Sequence, residues 1–388
     1  MEKWAPGRTS TIGQAIAAGG SAGSTQAIGG VDFDGAAVGD ERSRALEAAA
    51  GASAVVVCLG EAPYAEKPGD LRDGLGLPPG LVAFVADLAA ATTAPIVTVL
   101  VQGRPRLLGS VVANSAAVLW SGLPGPLGAE AIADALFGAT NSFGRLPFTY
   151  PVSTDLIAPY FHKPSFACAG DNLSTRECAV QWPFGAGLSY TTFETTFALS
   201  SGTVSGCDVD ASVDVSVSVT NIGAVSGDHV VLVFLTDVAS RVSPEYKLLK
   251  RFQRLDDMAP GATRTVTFSL VLEDLTYVGL DMADTLEAGE FLVAVGPDLD
   301  CRVPDATSGA GCVKFTLEMG GCAAAKKTKK GASWVGLGQV ALTVFLILWV
   351  IGALCVWSVV AGNRVGLERV FGRREERGYA RVVVTDNL

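Results

Sequence analysis

The sequence predicts an α/β domain, followed by an all-β sandwich of immunoglobulin-like type and then by a single transmembrane helix. Three observations predict this order. Strand and helix patterns alternate over residues 1–160, short strands separated by turn signals fill residues 193–300, and an uncharged apolar run covers residues 334–362. Alternating strands and helices are typical of a parallel-rich sheet with helices on both faces, whereas closely spaced strands and turns are typical of a sandwich.

The α/β prediction depends on three short runs of apolar, mostly β-branched residues, as expected of strands that are covered on both faces. They lie at residues 54–59, 95–101 and 117–120. Helical patterns alternate with them at residues 41–50, 80–91, 106–114 and 128–138. The loop after the first strand, residues 60–77, is long and polar. It follows the carboxyl end of a strand, where such sheets bind ligands, and is therefore the candidate functional loop.

The all-β prediction rests on an alternating strand and four further strand patterns. Valines alternate with polar residues, as in a half-buried strand, at Val213, Val215, Val217 and Val219. Further strands, separated by turn signals, are predicted at residues 229–235, 247–255, 263–270 and 290–295. Residues 161–192 lack periodicity and are interpreted as a linker, and residues 301–333 are interpreted as a stalk.

Composition argues against several classes of function. The formal net charge of −10 makes nucleic acid an unexpected partner. The two histidines, His162 and His229, are far apart in sequence, so a histidine-rich metal site is not predicted. No metal or organic cofactor is expected.

The eight cysteines include no CxxC pair, so zinc knuckles are not predicted. Cys58 lies in a buried-strand pattern and Cys355 in the apolar segment. The remaining cysteines lie in loop-like stretches, and their even number fits an oxidising compartment. The first predicted disulfide joins Cys168 and Cys178. Between them, Asn172 begins a glycosylation sequon, Asn-Leu-Ser.

The segment 334–362 predicts a membrane span with lipid as its partner. It contains no charged residue, and about 20 apolar residues in a helix suffice to cross a bilayer core. Basic residues flank both ends, so the orientation depends on the predicted disulfide and sequon. These place residues 1–330 outside the cell or in a lumen and the tail, residues 363–388, in the cytoplasm. Residues 1–30 show no signal-peptide pattern, so either the carboxy-terminal helix directs insertion or the given chain begins too late.

Five motifs follow one another along the α/β part: GEAPYAEKPGD from Gly60, GRP from Gly103, LPGPLGAEAIADALFG from Leu123, GRLPFTYP from Gly144 and WPFGAGLSYTTFE from Trp182. This order resembles the carboxy-terminal α/β sandwich of family 3 glycoside hydrolases. Two later stretches, TNIGAVSGDHVVLVF and RLDDMAPGATRTVTFSL, resemble the fibronectin type III-like domain that follows it in that family. The glycines and prolines of LPG, GRLP and FGAGLSY are interpreted as structural, since they fix turns.

The resemblance implies retaining hydrolysis of terminal β-linked glucose or related sugars, with β-glucans or β-glucosides as substrates. Retaining enzymes use two carboxyl groups, a nucleophile and an acid/base. The second glutamate of GEAPYAE, Glu66, matches the acid/base position, and Glu61 is expected to orient the loop. Three further residues are implied to bind sugar: Trp4 by stacking, and Asp70 and Asp73 by hydrogen bonds. The family often has Asn where Asp73 stands.

The family's nucleophile is an Asp in an amino-terminal (β/α)8 barrel of about 250 residues, which no part of this chain resembles. The α/β sandwich is also short of the family's first strand and helix, so a partial sheet is predicted. The given chain alone is not expected to hydrolyse glycosides. Three hypotheses remain: part of a membrane-anchored glycosidase acting on β-linked glucose or xylose, a catalytically inactive membrane-tethered carbohydrate-binding protein, or a structural membrane protein that uses its sandwich for protein contacts.

Overall fold

The first part of the chain alternates helices and strands. The computed structural model describes residues 10–19, 25–61, 74–154, 160–161, 180–296, 312–320 and 379–385. This part contains, in chain order, α1 (Ile12–Gly19), β1 (Thr25–Asp32), α2 (Glu41–Ala50), β2 (Ala54–Gly60), α3 (Pro79–Ala91), β3 (Ile96–Val101), a 3-10 turn (Gly109–Val111), β4 (Ala117–Trp120), α4 (Gly128–Leu136), β5 (Tyr150–Pro151) and β6 (Val180–Trp182). The three buried strands predicted from the sequence are confirmed as β2, β3 and β4.

The second part is built of strands. Its elements are β7 (Phe193–Leu199), β8 (Thr203–Ser205), β9 (Ser212–Asn221), β10 (Gly227–Asp237), β11 (Leu248–Met258), β12 (Thr263–Val271), a 3-10 turn (Leu272–Leu275), β13 (Tyr277–Val278), β14 (Asp284–Thr285), β15 (Gly289–Val295) and β16 (Cys312–Glu318). One further strand, β17 (Tyr379–Thr385), lies near the end of the chain. The five strands predicted for the all-β region are confirmed as β9, β10, β11, β12 and β15.

The α/β sheet is parallel except for one strand. β2 pairs with β3, and β3 with β4, in parallel; β17 lies antiparallel between β1 and β2, so the order is β1-β17-β2-β3-β4. Val56 and Val99 pack with α1 and α4 on one face, whereas Val57 and Leu100 pack with α2 and α3 on the other. Because both faces are covered, β2 and β3 are apolar apart from the buried Thr98, as expected of strands covered on both faces.

Strand β17 corrects the prediction of a cytoplasmic tail at residues 363–388. Its residue Val382 pairs with Ile28 of β1 on one side and with Val57 of β2 on the other. A strand hydrogen-bonded inside this sheet cannot lie across a bilayer from the rest of the sheet. The run of three valines at residues 382–384 favours a strand, because β-branched side chains fit a pleated sheet.

The prediction of a single-pass membrane protein is also corrected. In the part of the chain that the structure describes, no helix combines the length and the apolarity that a bilayer crossing requires. The predicted span, residues 334–362, lies outside the described residues.

Two sheets form the sandwich, one in the order β11-β10-β15-β16-β8 and the other in the order β12-β9-β7. The alternating valines of β9 face the space between the sheets. There, Val217 and Val219 pack in one buried cluster with Val233 of β10, Phe291 of β15 and Phe315 of β16. Apolar burial of this kind is the main term that stabilises such a fold.

Strand β16 corrects part of the predicted stalk at residues 301–333. Residues 312–318 pair antiparallel with β15 and belong to the sandwich. Phe315 and Leu317 point into the core, where each is 1% exposed. The alternation of these two side chains with polar residues is the signal that the stalk interpretation overlooked.

One asparagine joins the two parts of the chain. Asn141 donates from Nδ2 to the backbone oxygen of Ser226 at 2.9 Å, and its Oδ1 accepts from the backbone N–H of Tyr190 at 3.0 Å. Its own backbone oxygen accepts from the N–H of Asp228 at 3.2 Å. A Cβ atom at Gly227 would collide with the Asn141 side chain, so this close approach requires glycine. Tyr190 belongs to the FGAGLSY motif, which is consistent with its structural interpretation.

Candidate active site

The carboxyl ends of β2 and β3 lie side by side, because the two strands run parallel and pair from Val55–Ile96 to Gly60–Val101. The chain leaves β2 through Glu61 into residues 62–73, and it leaves β3 through residues 102–106. Ligands of open α/β sheets bind beyond this edge. The loop singled out in the sequence therefore starts at the edge where a ligand site is expected.

Glu61 forms a buried ion pair with two arginines that follow β3. Its Oε2 accepts hydrogen bonds from Arg104 Nε at 2.9 Å and from Arg106 Nη1 at 3.0 Å. The side chains of Glu61, Arg104 and Arg106 are 4%, 23% and 10% exposed. Charges are stable at this depth only when they are paired and hydrogen-bonded. Glu61 is therefore an anchor for the two arginines and is too enclosed to meet a sugar.

Arg106 connects both ends of the loop at residues 62–73. In addition to its bond with Glu61, directly before the loop, its Nε donates to the carbonyl oxygen of Leu75 at 3.0 Å. Its Nη2 donates to the carbonyl oxygen of Gly76. One guanidinium thus fixes the start and the end of the loop to each other and to the end of β3. We call the set Glu61, Arg104 and Arg106 the loop clamp.

A buried tyrosine, Tyr150, holds the backbone of Arg106, one of the loop-clamp residues. The hydroxyl of Tyr150 donates to the backbone oxygen of Arg106 at 2.7 Å and accepts from Gln102 Nε2 at 2.7 Å. Tyr150 is fully buried, and burial raises the pKa of its hydroxyl, so the group keeps its proton and remains a donor. Phe148 and Trp182 pack against its ring. The motifs GRLPFTYP and WPFGAGLSYTTFE therefore brace the functional edge through these aromatic side chains.

The other residues predicted for catalysis, sugar binding, the disulfide or glycosylation lie outside the described residues. They are Trp4 in residues 1–9, Glu66, Asp70 and Asp73 in residues 62–73, and Cys168, Asn172 and Cys178 in residues 162–179. Their roles stay predictions. Glu61 behaves as the sequence predicted, because it holds the base of the loop rather than facing a cleft.

Sequence reasoning missed four residues of this edge: Gln102, Arg104, Arg106 and Tyr150. A signal for the two arginines was present, since they directly follow one buried strand and Glu61 directly follows its parallel neighbour. Opposite charges at the ends of adjacent parallel strands are close in space. Nothing local marks Tyr150, whose partners come from another strand end.

Metal ligands and thiols give no further site among the residues that the structure describes. No group of three His, Cys, Asp or Glu side chains there could hold a metal ion. Cys58 forms no disulfide, whereas Cys207 and Cys312 each belong to one. The chemistry of the described edge is therefore that of carboxylate, guanidinium and hydroxyl groups.

Comparison with known proteins agrees with this architecture. Residues 3–190 match the glycosyl hydrolase family 3 C-terminal domain, and residues 229–298 match the fibronectin type III-like domain. The chain is 40% identical to a lysosomal β-glucosidase of Dictyostelium discoideum over 266 residues, which cover 65% of this chain and 31% of the relative. A β-xylosidase of Formosa agariphila is 31% identical over 255 residues, 65% of this chain and 35% of that protein. The chain spans about a third of the length of these curated relatives.

Solved structures show the same likeness. The crystal structure of a β-glucosidase from Listeria innocua in complex with gluconolactone superposes with a TM-score of 0.62 at 26% identity, over 72% of this chain and 38% of that chain. A mutant of the Listeria innocua β-glucosidase in complex with laminaribiose gives a TM-score of 0.59 at 27% identity, over 69% and 36% of the two chains.

Proposed function

Because this chain contains the carboxy-terminal domain of glycosyl hydrolase family 3 followed by a fibronectin type III-like domain, we propose that it is part of a retaining glycoside hydrolase. The proposed reaction releases terminal β-linked glucose, or xylose, from oligo- or polysaccharides. Relatives named β-glucosidase and β-xylosidase support this proposal. One similar structure contains laminaribiose, which supports a β-glucoside or β-glucan as the substrate.

In this proposal Glu66 is the acid/base. It protonates the glycosidic oxygen as the bond to the leaving group breaks, and it later removes a proton from the attacking water. Glu61 is unsuited to this role, since its side chain is 4% exposed and its Oε2 is held by two arginines. The observation that carries the assignment is the loop clamp, because it ties down both ends of the loop that contains Glu66. Proton transfer depends on such positioning of the donor.

The proposed reaction also needs groups that bind the sugar, which this chain supplies, and a second carboxylate. Asp70 and Asp73 accept hydrogen bonds from sugar hydroxyls, and Trp4 stacks on the apolar face of a pyranose ring. Retaining hydrolysis also needs a carboxylate nucleophile, which the proposal assigns to protein outside these 388 residues. The 388-residue chain alone is therefore expected to bind a β-glucoside and to leave it uncleaved.

A chimeric enzyme tests the role of Glu66. In it, this chain replaces the aligned region of the Dictyostelium lysosomal β-glucosidase, which supplies the rest of the enzyme. We expect the chimera to hydrolyse an alkyl β-glucoside, whose poor leaving group requires protonation. Glu66→Gln is expected to lower kcat at least a hundredfold, the usual size of a general-acid contribution. Glu47→Gln, on the exposed face of α2, is the matched control and is expected to keep full activity.

Equal turnover by the Glu66→Gln and Glu47→Gln chimeras would remove Glu66 from the mechanism. A folded chimera without turnover, together with laminaribiose binding by the 388-residue chain, would instead favour a catalytically inactive carbohydrate-binding protein.

A further inference from the structure

The sandwich contains a cavity of about 290 Å³ that the proposed hydrolysis does not use. It lies between the connection from β10 to β11 and residues 274–278, which follow β12. Apolar side chains supply much of its lining, including Leu235, Leu248, Leu275 and Phe291. This volume is just below the range of small-molecule sites, about 300–1,000 Å³, so the cavity suits one small ligand.

A β-bulge lies beside this cavity, at Lys250. β10 and β11 pair Phe234 with Leu249 and Val233 with Arg251, which leaves Lys250 as an extra residue in β11. Bulges redirect the side chains beside them, and they are frequent near functional sites. Lys250 is one of the residues that line the cavity.

The Lys250 ammonium is a half-buried donor. Its neighbour Arg251 is already engaged by the Asp274 carboxylate, with Nη1–Oδ1 and Nη2–Oδ2 distances of 3.0 and 2.6 Å. Among the described residues, the Lys250 ammonium makes no hydrogen bond or ion pair of its own. Burial lowers the pKa of Lys250, as expected of an ammonium that has lost part of its hydration. A hydrogen-bond acceptor on a ligand would restore the hydration that the ammonium has lost.

Three carboxyl groups line the cavity. Asp274 is engaged by Arg251, and the other two, Asp237 and Glu245, more than offset the charge of Lys250. Asp237 is half-buried, and burial raises the pKa of its carboxyl group. An anionic ligand is disfavoured because the two carboxyl groups repel it. A purely apolar ligand is disfavoured because it displaces water from Lys250 and Asp237 and offers no hydrogen bonds in exchange. A neutral ligand with several hydroxyl groups satisfies donors and acceptors together.

We propose that this cavity binds one neutral pyranose unit of a β-linked oligosaccharide. Lys250 donates to one ring hydroxyl, Asp237 accepts from another, and the apolar lining covers the C–H face of the ring. The choice of a sugar as ligand rests on the proposed function. A second sugar contact on the same polypeptide raises the effective concentration of a polysaccharide substrate.

Methyl NMR of the 388-residue chain with labelled leucines tests the site, because three leucines line the cavity. On titration with laminaribiose, we expect shifts of the methyl signals of Leu235, Leu248 and Leu275. No shift is expected for Leu88, which lies on the buried face of α3. Lys250→Ala is expected to raise the apparent Kd about tenfold, the size of one lost charged hydrogen bond. Lys314→Ala, which removes a lysine that pairs with Glu290, is the matched control and is expected to leave Kd unchanged.

Two results would overturn the inference: no shift of the three cavity leucines, or the same Kd for Lys250→Ala and Lys314→Ala. The Leu88 signal shows in each variant that the protein is folded. Glu66→Gln separates this inference from the proposed function, since it is expected to leave the cavity shifts intact. Laminaribiose shifts that appear only outside the cavity would leave the catalytic proposal in place and exclude the cavity as a sugar site.

Discussion

Glu61→Gln is expected to lower the free energy of unfolding of the α/β domain by about 4 kcal/mol, the usual range for breaking a buried ion pair being about 3–5 kcal/mol. The substitution keeps the shape of the side chain but removes its charge. Arg106 then stays in place, 10% exposed, without the carboxylate that balances its charge. Urea denaturation measures the effect, and Glu47→Gln on the exposed face of α2 is the control.

A second measurement on Glu61→Gln reports on the loop itself. The clamp ties residues 62–73 at both ends, so its loss is expected to speed tryptic cleavage after Arg72, a site inside the loop. Glu47→Gln is expected to be cleaved at the rate of the unaltered protein. If the free energy of unfolding of Glu61→Gln lies within about 0.5 kcal/mol of that of Glu47→Gln, the size of an ordinary surface change, the loop clamp does not stabilise the domain.

Asn221→Ala is expected to destabilise the fibronectin type III-like domain by about 4 kcal/mol, because several buried polar groups lose their partner at once. Asn221 is fully buried at the end of β9. Its Nδ2 donates to the backbone oxygens of Val225 and Met258 at 2.8 and 2.7 Å. Its Oδ1 accepts from Thr191 Oγ1 at 2.6 Å and from the backbone N–H of Gly223 at 3.0 Å.

The measurement is chemical denaturation of Asn221→Ala beside Ser216→Ala, which changes an exposed position of the same strand. Ser216→Ala is expected to stay within about 0.5 kcal/mol of the unaltered chain. A loss below about 1 kcal/mol for Asn221→Ala would mean that water or a backbone shift replaces its hydrogen bonds. Gly223, in the same TNIG motif, is part of this arrangement. Its N–H donates to Asn221, and a Cβ atom at Gly223 would collide with Thr191.

Apolar patterns predicted most of the fold because the burial of each side chain in a strand is reflected in the residue type at that position. Val56 and Val57 face opposite helices, so an unbroken apolar run indicated a strand covered on both faces. The prediction of a cytoplasmic tail was wrong because it was inferred from the apolar segment 334–362 that precedes the tail. The valines of the tail itself, which favour a strand, were not considered. Strand β17 pairs with β1 and β2, which lie near the other end of the sequence. A pairing between such distant segments cannot be predicted from local sequence patterns.

The candidate site was predictable only in part, for the same reason. Glu61 was assigned to the base of the loop because it follows a strand end within a motif. The loop clamp joins residues 45 positions apart, Glu61 and Arg106, and only the register of β2 with β3 brings them together. Tyr150 supports Arg106 across a separation of 44 positions, which no periodicity reveals.

The central claim is that Glu66, on the clamped loop, is the acid/base of a retaining reaction, and azide rescue tests it most directly. In the Glu66→Ala chimera, a dinitrophenyl β-glucoside forms the glycosyl–enzyme intermediate without acid assistance, because its leaving group is already a weak base. Water then attacks slowly, since no base activates it. Azide needs no base, so we expect it to raise the turnover rate and to yield β-glucosyl azide. Turnover that azide does not change, or α-glucosyl azide as the product, would contradict the assignment.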